Sequence, residues 1–189
     1  MRAKIEATVP IDAIDHDILI LLQQDCRQAL AAIGERVGLS APSVLDRIKK
    51  LERAGIITGY EAHLDARKLG LDITAFIGIS ISHPNFIEPF LSQIASFESV
   101  QESHQVTGTY TILLKVKTHN TSTLGELISR INRLEGVTRS ETTVVLSTHT
   151  ERPSIAVPSG AGPVDARSRR ARRGPTDLDD PEDVVPGKD

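Results

Sequence analysis

Between Ser40 and Arg53 the chain places Ser43, Asp46, Arg47, Lys49, Lys50 and Arg53 off a stripe formed by Val44, Leu45, Ile48 and Leu51. Apolar residues at three- and four-residue spacing make one packing face of a helix, so the polar set is left on the other side. Hydroxyls and cations arranged this way suit a polyanion, because they grip phosphate oxygens and reach base edges. The formal net charge is -3 and the sequence pI about 6.1. With no global attraction to nucleic acid, binding has to be local, and Arg47 to Arg53 is the best patch. Taken alone, the same pattern is that of an ordinary solvated helix face. Its surroundings decide for a helix that reads DNA.

Other chemistry is poorly provided for. His63, His83, His104, His119 and His149 are scattered, and none stands in a Ser-His-Asp, paired-carboxylate or metal-ligand spacing. The one cysteine, Cys26, has no partner for an internal disulfide. No metal, no cofactor and no enzymatic role is expected. Neither a membrane-length apolar run nor a signal layout is present, so a cytoplasmic protein with no membrane partner is expected, nucleoid-associated if the basic helix reads DNA. Of the 189 residues 39% are apolar, enough for real cores, and 3% are aromatic with no tryptophan, so those cores must be aliphatic.

Several elements must hold the basic helix in place. Gly38 supplies a sharp turn, Ser40 is a good N-cap and Pro42 is tolerated in the first turn, so the helix starts at about Ala41 and ends at Gly55. Ile56 to Tyr60 has the composition of a short strand or wing. A supporting helix runs from about Leu30 to Val37 and packs Leu30, Ile33 and Val37. Its Gly34 allows close approach at a propensity cost of up to about 1 kcal/mol. Before it, Asp12 caps a helix with an Ile14, Ile18, Leu21 and Leu22 stripe and Asp15 in the first turn. Residues 1–60 thus read as a winged helix-turn-helix domain.

Residues 61–72 read as a linker with a strand through Ala62 and Leu64. The period then becomes extended. Strands are expected at 73–82, 100–106, 110–116 and 137–147, with helices on the stripes Phe86, Ile87, Phe90, Leu91, Ile94 and Leu124, Leu127, Ile128, Ile131, Leu134. Thr123 and Glu126 match a capping box at the start of the second of these helices. The order βαββαβ over residues 73–149 is the ferredoxin-like split arrangement, giving an α+β chain with an antiparallel four-stranded sheet and helices on one face. Its other face needs cover or must be polar, and so small a sheet cannot bury both faces alone, so a homodimer paired by sheet face or by strand edge is expected. Residues 150–189 carry a basic block (Arg167, Arg169, Arg170, Arg172, Arg173) and an acidic one (Asp177, Asp179, Asp180, Glu182, Asp183). They read as a disordered tail whose charges offset each other, the other reading being added phosphate contacts by the arginines.

Laid end to end, Asp12-x-x-Asp15-x-x-Ile18-Leu19, the run from Val37 to Tyr60, Leu64-Asp65, Leu69-Gly70 and Val106-Thr107-Gly108-x-Tyr110 resemble the Lrp/AsnC family of leucine- and asparagine-responsive feast/famine regulators. The likeness covers about Ile11 to Thr148. It implies a transcription regulator whose first domain binds a palindromic operator in double-stranded DNA. The second domain would then be an effector and oligomerisation module, building dimers into octamers or larger assemblies that sense an amino acid.

The family's recognition helix falls on Ser40 to Arg53. Arg47, Lys49 and Lys50 are thereby assigned to base edges or phosphates, Ser40 and Ser43 to phosphates, Arg53 to the same face, and Asp46 either to a cytosine amino group or to repelling wrong approaches. The effector site is placed at Thr107, Gly108, Thr109, Tyr110 and Thr111, with Thr142 and Thr143 as neighbours. Thr109 and Thr111 stand where many relatives carry acidic residues, which removes partners for a ligand ammonium. Ala29 replaces the usual cap of the second helix, and Gln28 stands where an apolar residue is usual. Two alternatives stand beside this reading: an oligomeric small-molecule-binding adaptor that has lost DNA affinity, and a subunit similar to tetrapyrrole decarboxylases.

Overall fold

The computed structural model describes residues 10–158. Two compact units meet in sequence between Tyr60 and Glu61, with residues 154–158 belonging to the first.

The first unit holds α1 (Ala13–Gln24), α2 (Leu30–Val37) and α3 (Ala41–Arg53). Each start has a local cause. Asp15 N–H donates to Asp12 Oδ1 at 2.8 Å, and Asp12 N–H donates back to Asp15 Oδ2 at 3.4 Å, a reciprocal capping box. Ser40 Oγ accepts from Ser43 N–H at 3.4 Å, whereas Ala29 offers α2 no side-chain cap. The core is aliphatic: Ile18, Leu21, Ile33, Val44 and Ile48, ringed by Ile14, Leu22, Leu30, Val37, Leu39 and Ile57. Leu45, expected in the packed stripe, is 36% exposed and lies off it. Gly38 closes α2 in the left-handed region at φ 72°, and its N–H bonds the Gly34 carbonyl.

The wing expected at Ile56 to Tyr60 does not form a strand. Ile56 and Ile57 both donate their N–H groups to the Leu51 carbonyl, at 3.0 and 3.3 Å, so they close the end of α3 instead of pairing with a neighbour. Ile57 packs on the core, and Tyr60 Oη donates to Glu52 Oε1 at 2.9 Å. The domain is therefore a helix-turn-helix with a coil exit. The strand through Ala62 and Leu64 is likewise missing, and the linker instead winds one 3-10 turn at Arg67–Leu69. Asp65 Oδ1 starts that turn by accepting from Arg67 and Lys68 N–H.

The second unit contains β1 (Ile73–Ile81), α4 (Ile87–Ile94), β2 (Val100–Gln105), β3 (Ile112–Thr118), α5 (Thr121–Asn132) and β4 (Val137–Val144). All pairings are antiparallel in the order β2-β3-β1-β4. Alternation along β1 and β3 sends Ala75, Ile77, Ile79, Ile112, Leu114 and Val116 to one face, where they meet Phe90 and Ile94 of α4 and Leu124, Leu127 and Ile131 of α5. The opposite face carries Phe76, Leu113 and Lys115. Lys115 Nζ pairs there with Glu102 at 3.0 Å and Glu151 at 2.6 Å.

Several boundaries differ from the sequence reading. Helix α5 begins before Thr123 because Asn120 is its cap: Asn120 Oδ1 accepts from Thr123 N–H at 3.0 Å, and Thr123 Oγ1 accepts from Asn120 N–H at 3.1 Å. Thr123 thus sits inside the first turn, and the box with Glu126 does not form. The hairpin strands stop at Gln105 and restart at Ile112, leaving Val106 and Tyr110 in the connection, and β4 stops at Val144, with Leu146 93% exposed. Residues 150–158 form no helix or strand. The two charged blocks of the tail lie outside the described residues.

Candidate nucleic-acid interface

The apolar stripe of α3 reduces to Val44, Ile48 and Leu51, all buried. With a turn of 3.6 residues, the ridge farthest from it carries Asp46, Lys49 and Arg53, all three exposed. Arg53 Nε donates to the Lys49 carbonyl at 3.1 Å, which lays the arginine along the helix and leaves its terminal nitrogens outward. Ser40 and Ser43 are exposed at the helix start, with hydroxyls 2.9 Å apart. Five of the seven residues assigned to DNA from the sequence are thus on open surface.

Arg47 and Lys50 are elsewhere. They lie on the flank turned toward α1, and their cationic ends converge on one carboxylate. Arg47 Nη1 is 2.7 Å from Asp12 Oδ2 and 2.7 Å from Asp15 Oδ1, and Lys50 Nζ is 2.8 Å from Asp15 Oδ2. The Asp15 side chain is 0% exposed and that of Arg47 28%. Burial works to raise the Asp15 acid, but hydrogen bonds from Lys50 and Arg47 outweigh it and hold the carboxyl below its usual range. The Arg47 hydrogen bond lowers Asp12 in the same way. Among the described residues Lys49 and Arg53 make no ion pair, so α3 has two engaged cations and two free ones.

Asp12 and Asp15 are absent from the sequence-derived site, although a signal for Asp15 exists. It lies three residues before Ile18 and four before Leu19, both buried, so its side chain falls on the packed face of α1. A carboxylate there needs a cation. Arg47 and Lys50, three and six residues after buried Val44, border the packed face of α3 and can supply it.

The residues assigned to an effector divide as well. Thr107, Gly108 and Thr109 are an exposed turn, with Gly108 at φ 111°. Thr111 is spent on β1: its N–H donates to the Ile79 carbonyl at 2.8 Å and its Oγ1 accepts from Ile81 N–H at 3.2 Å. Tyr110 packs on Gly78, where a Cβ would come within 2.6 Å of the ring, and the nearby Glu141 carboxylate pushes the phenol's pKa up. Thr142 pairs with Ile77 and Thr143 with Phe76, so consecutive positions of β4 face opposite sides of the sheet and are not brought together. A shallow hollow bordered by Leu91, Ile94, Ala95, Val100, Gln101 and Glu102 includes none of these residues.

Two histidines are engaged by backbone: His83 Nδ1 accepts from Asn85 N–H at 3.3 Å at the start of a short 3-10 turn, and His119 Nδ1 meets the distant Gly70 carbonyl at 2.9 Å. Among the described residues no group of three or more His, Cys, Asp or Glu is placed to hold a metal ion, and no helix is long and apolar enough to cross a membrane.

Comparison with known proteins gives matches to both units. A family described as the AsnC-type helix-turn-helix domain matches residues 11–52, and one described as the Lrp/AsnC ligand binding domain matches residues 74–155. The HTH-type transcriptional regulator FL11 of Pyrococcus horikoshii is 31% identical over 149 residues, covering 79% of this chain and 98% of its own. The solved structure of Escherichia coli AsnC is similar at a TM-score of 0.74 and 31% identity, over 79% of this chain and 100% of its own. A Neisseria meningitidis transcriptional regulator, solved as an L-Met complex, has a TM-score of 0.73 and 28% identity, over 76% of this chain and 95% of its own.

Proposed function

The chain belongs to the Lrp/AsnC family of transcriptional regulators, and from that membership we propose that it binds palindromic operators as a homodimer or a larger assembly, using the outer face of α3, in answer to an amino-acid effector. The observation that carries the DNA reading is the ridge of Asp46, Lys49 and Arg53 opposite a fully packed stripe, with Ser40 and Ser43 at the helix start. Such a helix offers hydroxyls to phosphates at its N-terminus and cations to phosphates or guanine edges along its length. A twofold dimer presents two such helices, which is why the operator is a palindrome. The open sheet face, with Phe76 and Leu113 among its ion pairs, supports pairing between copies.

For the effector, the exposed Thr107, Gly108 and Thr109 turn is the loop to examine, and the L-Met bound by the Neisseria relative supports the amino-acid class. The chain works in the cytoplasm on the nucleoid and not as an enzyme. In the test, purified chain selects fragments from its own genomic DNA at near-physiological salt, with and without a pool of amino acids. Recovery of a palindromic site is expected, with occupancy changed by one amino acid. Selection of nothing beyond random DNA at matched salt refutes the regulator reading, and a protein that keeps its oligomer but ignores DNA is then an adaptor.

A further inference from the structure

We propose that Asp15 is a positioning residue for DNA binding: it holds Arg47 and Lys50 inside the first unit, so that Lys49 and Arg53 carry the charge that α3 presents to phosphates. The inference rests on the DNA-binding reading above and divides its basic helix into two working parts.

The division follows from geometry. Ser43, Arg47 and Lys50 recur at four and three residues and form the ridge beside α1, while Asp46, Lys49 and Arg53 recur at three and four and form the ridge opposite the core. Asp15 is fully buried and uses both oxygens, Oδ1 on Arg47 and Oδ2 on Lys50. α1 has no lysine or arginine of its own to neutralise it. A buried carboxylate stripped of its partners is heavily penalised, so Arg47 and Lys50 cannot both leave for the DNA backbone. Asp12, half exposed, takes the second contact of Arg47 and also caps α1, so the same four side chains fix the start of α1 against the middle of α3. His16, the other titratable group nearby, is paired with Asp17 and takes no part.

The consequence is a recognition helix whose orientation is set by one pair of cations and whose affinity is set by the other. Salt dependence separates the two roles, since each phosphate neutralised by a side chain contributes about 0.9 to the slope of log K against log salt on B-DNA. The experiment uses the full chain and sonicated duplex DNA, titrated with salt, beside a thermal unfolding midpoint for each variant. Lys49→Gln and Arg53→Gln are each expected to lower the slope by about 0.9 per charge removed while leaving the midpoint in place. Lys50→Gln is expected to lower the midpoint with the slope retained. Asp15→Asn releases Lys50 and leaves Arg47 only its contact with half-exposed Asp12, so the slope steepens, by about 0.9 for Lys50 and up to about 1.8 per chain where Arg47 follows, as the midpoint falls. A residue with only a structural role would not steepen it.

Should Asp15→Asn fail to fold, Lys49→Gln against Lys50→Gln still decides. Equal slope losses in those two, or an unchanged slope in Lys49→Gln, overturn the partition and leave DNA binding standing. A wild-type chain that binds no DNA at any salt overturns both.

Discussion

Replacing Gly34 by alanine sets two known effects against each other. Alanine inside a helix is favoured over glycine by about 0.5–1 kcal/mol, so propensity alone makes Gly34→Ala stabilising. The structure reverses the sign. A Cβ at Gly34 would lie 2.4 Å from the Leu39 carbonyl oxygen, about 1 Å inside ordinary contact. The obstacle is backbone and cannot rotate away. Leu39 is also tied to the same residue, its N–H donating to the Gly34 carbonyl at 2.9 Å, and Gly38 N–H reaches that carbonyl as the cap of α2.

Relief therefore means opening the α2–α3 turn. Overpacking costs about 1–3 kcal/mol and each weakened hydrogen bond about 1 kcal/mol, which after the propensity gain leaves a net loss of about 1–3 kcal/mol. At about 0.05–0.15 kcal/mol per residue the first unit has only a few kcal/mol to lose. Its unfolding midpoint should fall by roughly 5–20 °C. Differential scanning calorimetry of the full chain, read beside DNA affinity at a temperature where wild type is folded, measures both. A raised midpoint would falsify the reasoning, because propensity would then have won and the close approach would not be real.

Two further outcomes follow from the ion cluster and from the α5 start. The folded pKa values of Asp12 and Asp15 lie below the ordinary 3.8, so in the window between the folded and the unfolded values the unfolded chain binds more protons than the folded one. Their contribution is complete above the unfolded value and is lost as pH falls from about 4 through the folded values, with the Asp12 share reduced by its exposure. Urea midpoints of the first unit taken from pH 7 down to pH 2.5 should fall only at the acid end, and Asp15→Asn should flatten that fall; an equally steep fall in the variant refutes the assignment. Asn120→Ala should cost about 1 kcal/mol through loss of the α5 cap, whereas Glu126→Ala should stay within about 0.5 kcal/mol. The reverse order in denaturant titrations would restore the Thr123 and Glu126 box.

The elements that sequence periodicity reaches well are those whose partners lie within a turn or a strand. Leu30–Val37 and the start at Ala41 are legible because an apolar stripe, a left-handed glycine and a serine cap lie within a few residues of one another. Ile73–Ile81 is legible because isoleucines at alternate positions have few other places to go. The α5 start is less so, since Asn120 and Thr123 are both competent caps, and only the path of the chain out of β3 selects Asn120. The wing fails for a related reason. Ile56 and Ile57 have strand composition, but a strand needs a neighbour, and the unpaired Leu51 carbonyl at the end of α3 is nearer than any.

The cation partition is the part that periodicity alone does not resolve. Along α3 Arg47, Lys49 and Lys50 look alike: each is off the stripe, and a list of polar positions cannot rank them. What separates them is Asp15, thirty-two residues before Arg47 and thirty-five before Lys50, and on α1 it looks like a favourable first-turn acid. Only its position relative to Ile18 and Leu19 shows that the carboxylate points into protein, and only the packing of α1 on α3 shows which cations answer it. Desolvation then does the sorting, because a buried carboxylate holds its partners far more strongly than a solvated one does. Among the described residues no acid pairs with the exposed Lys49 and Arg53, which is why they are the cations proposed to meet DNA.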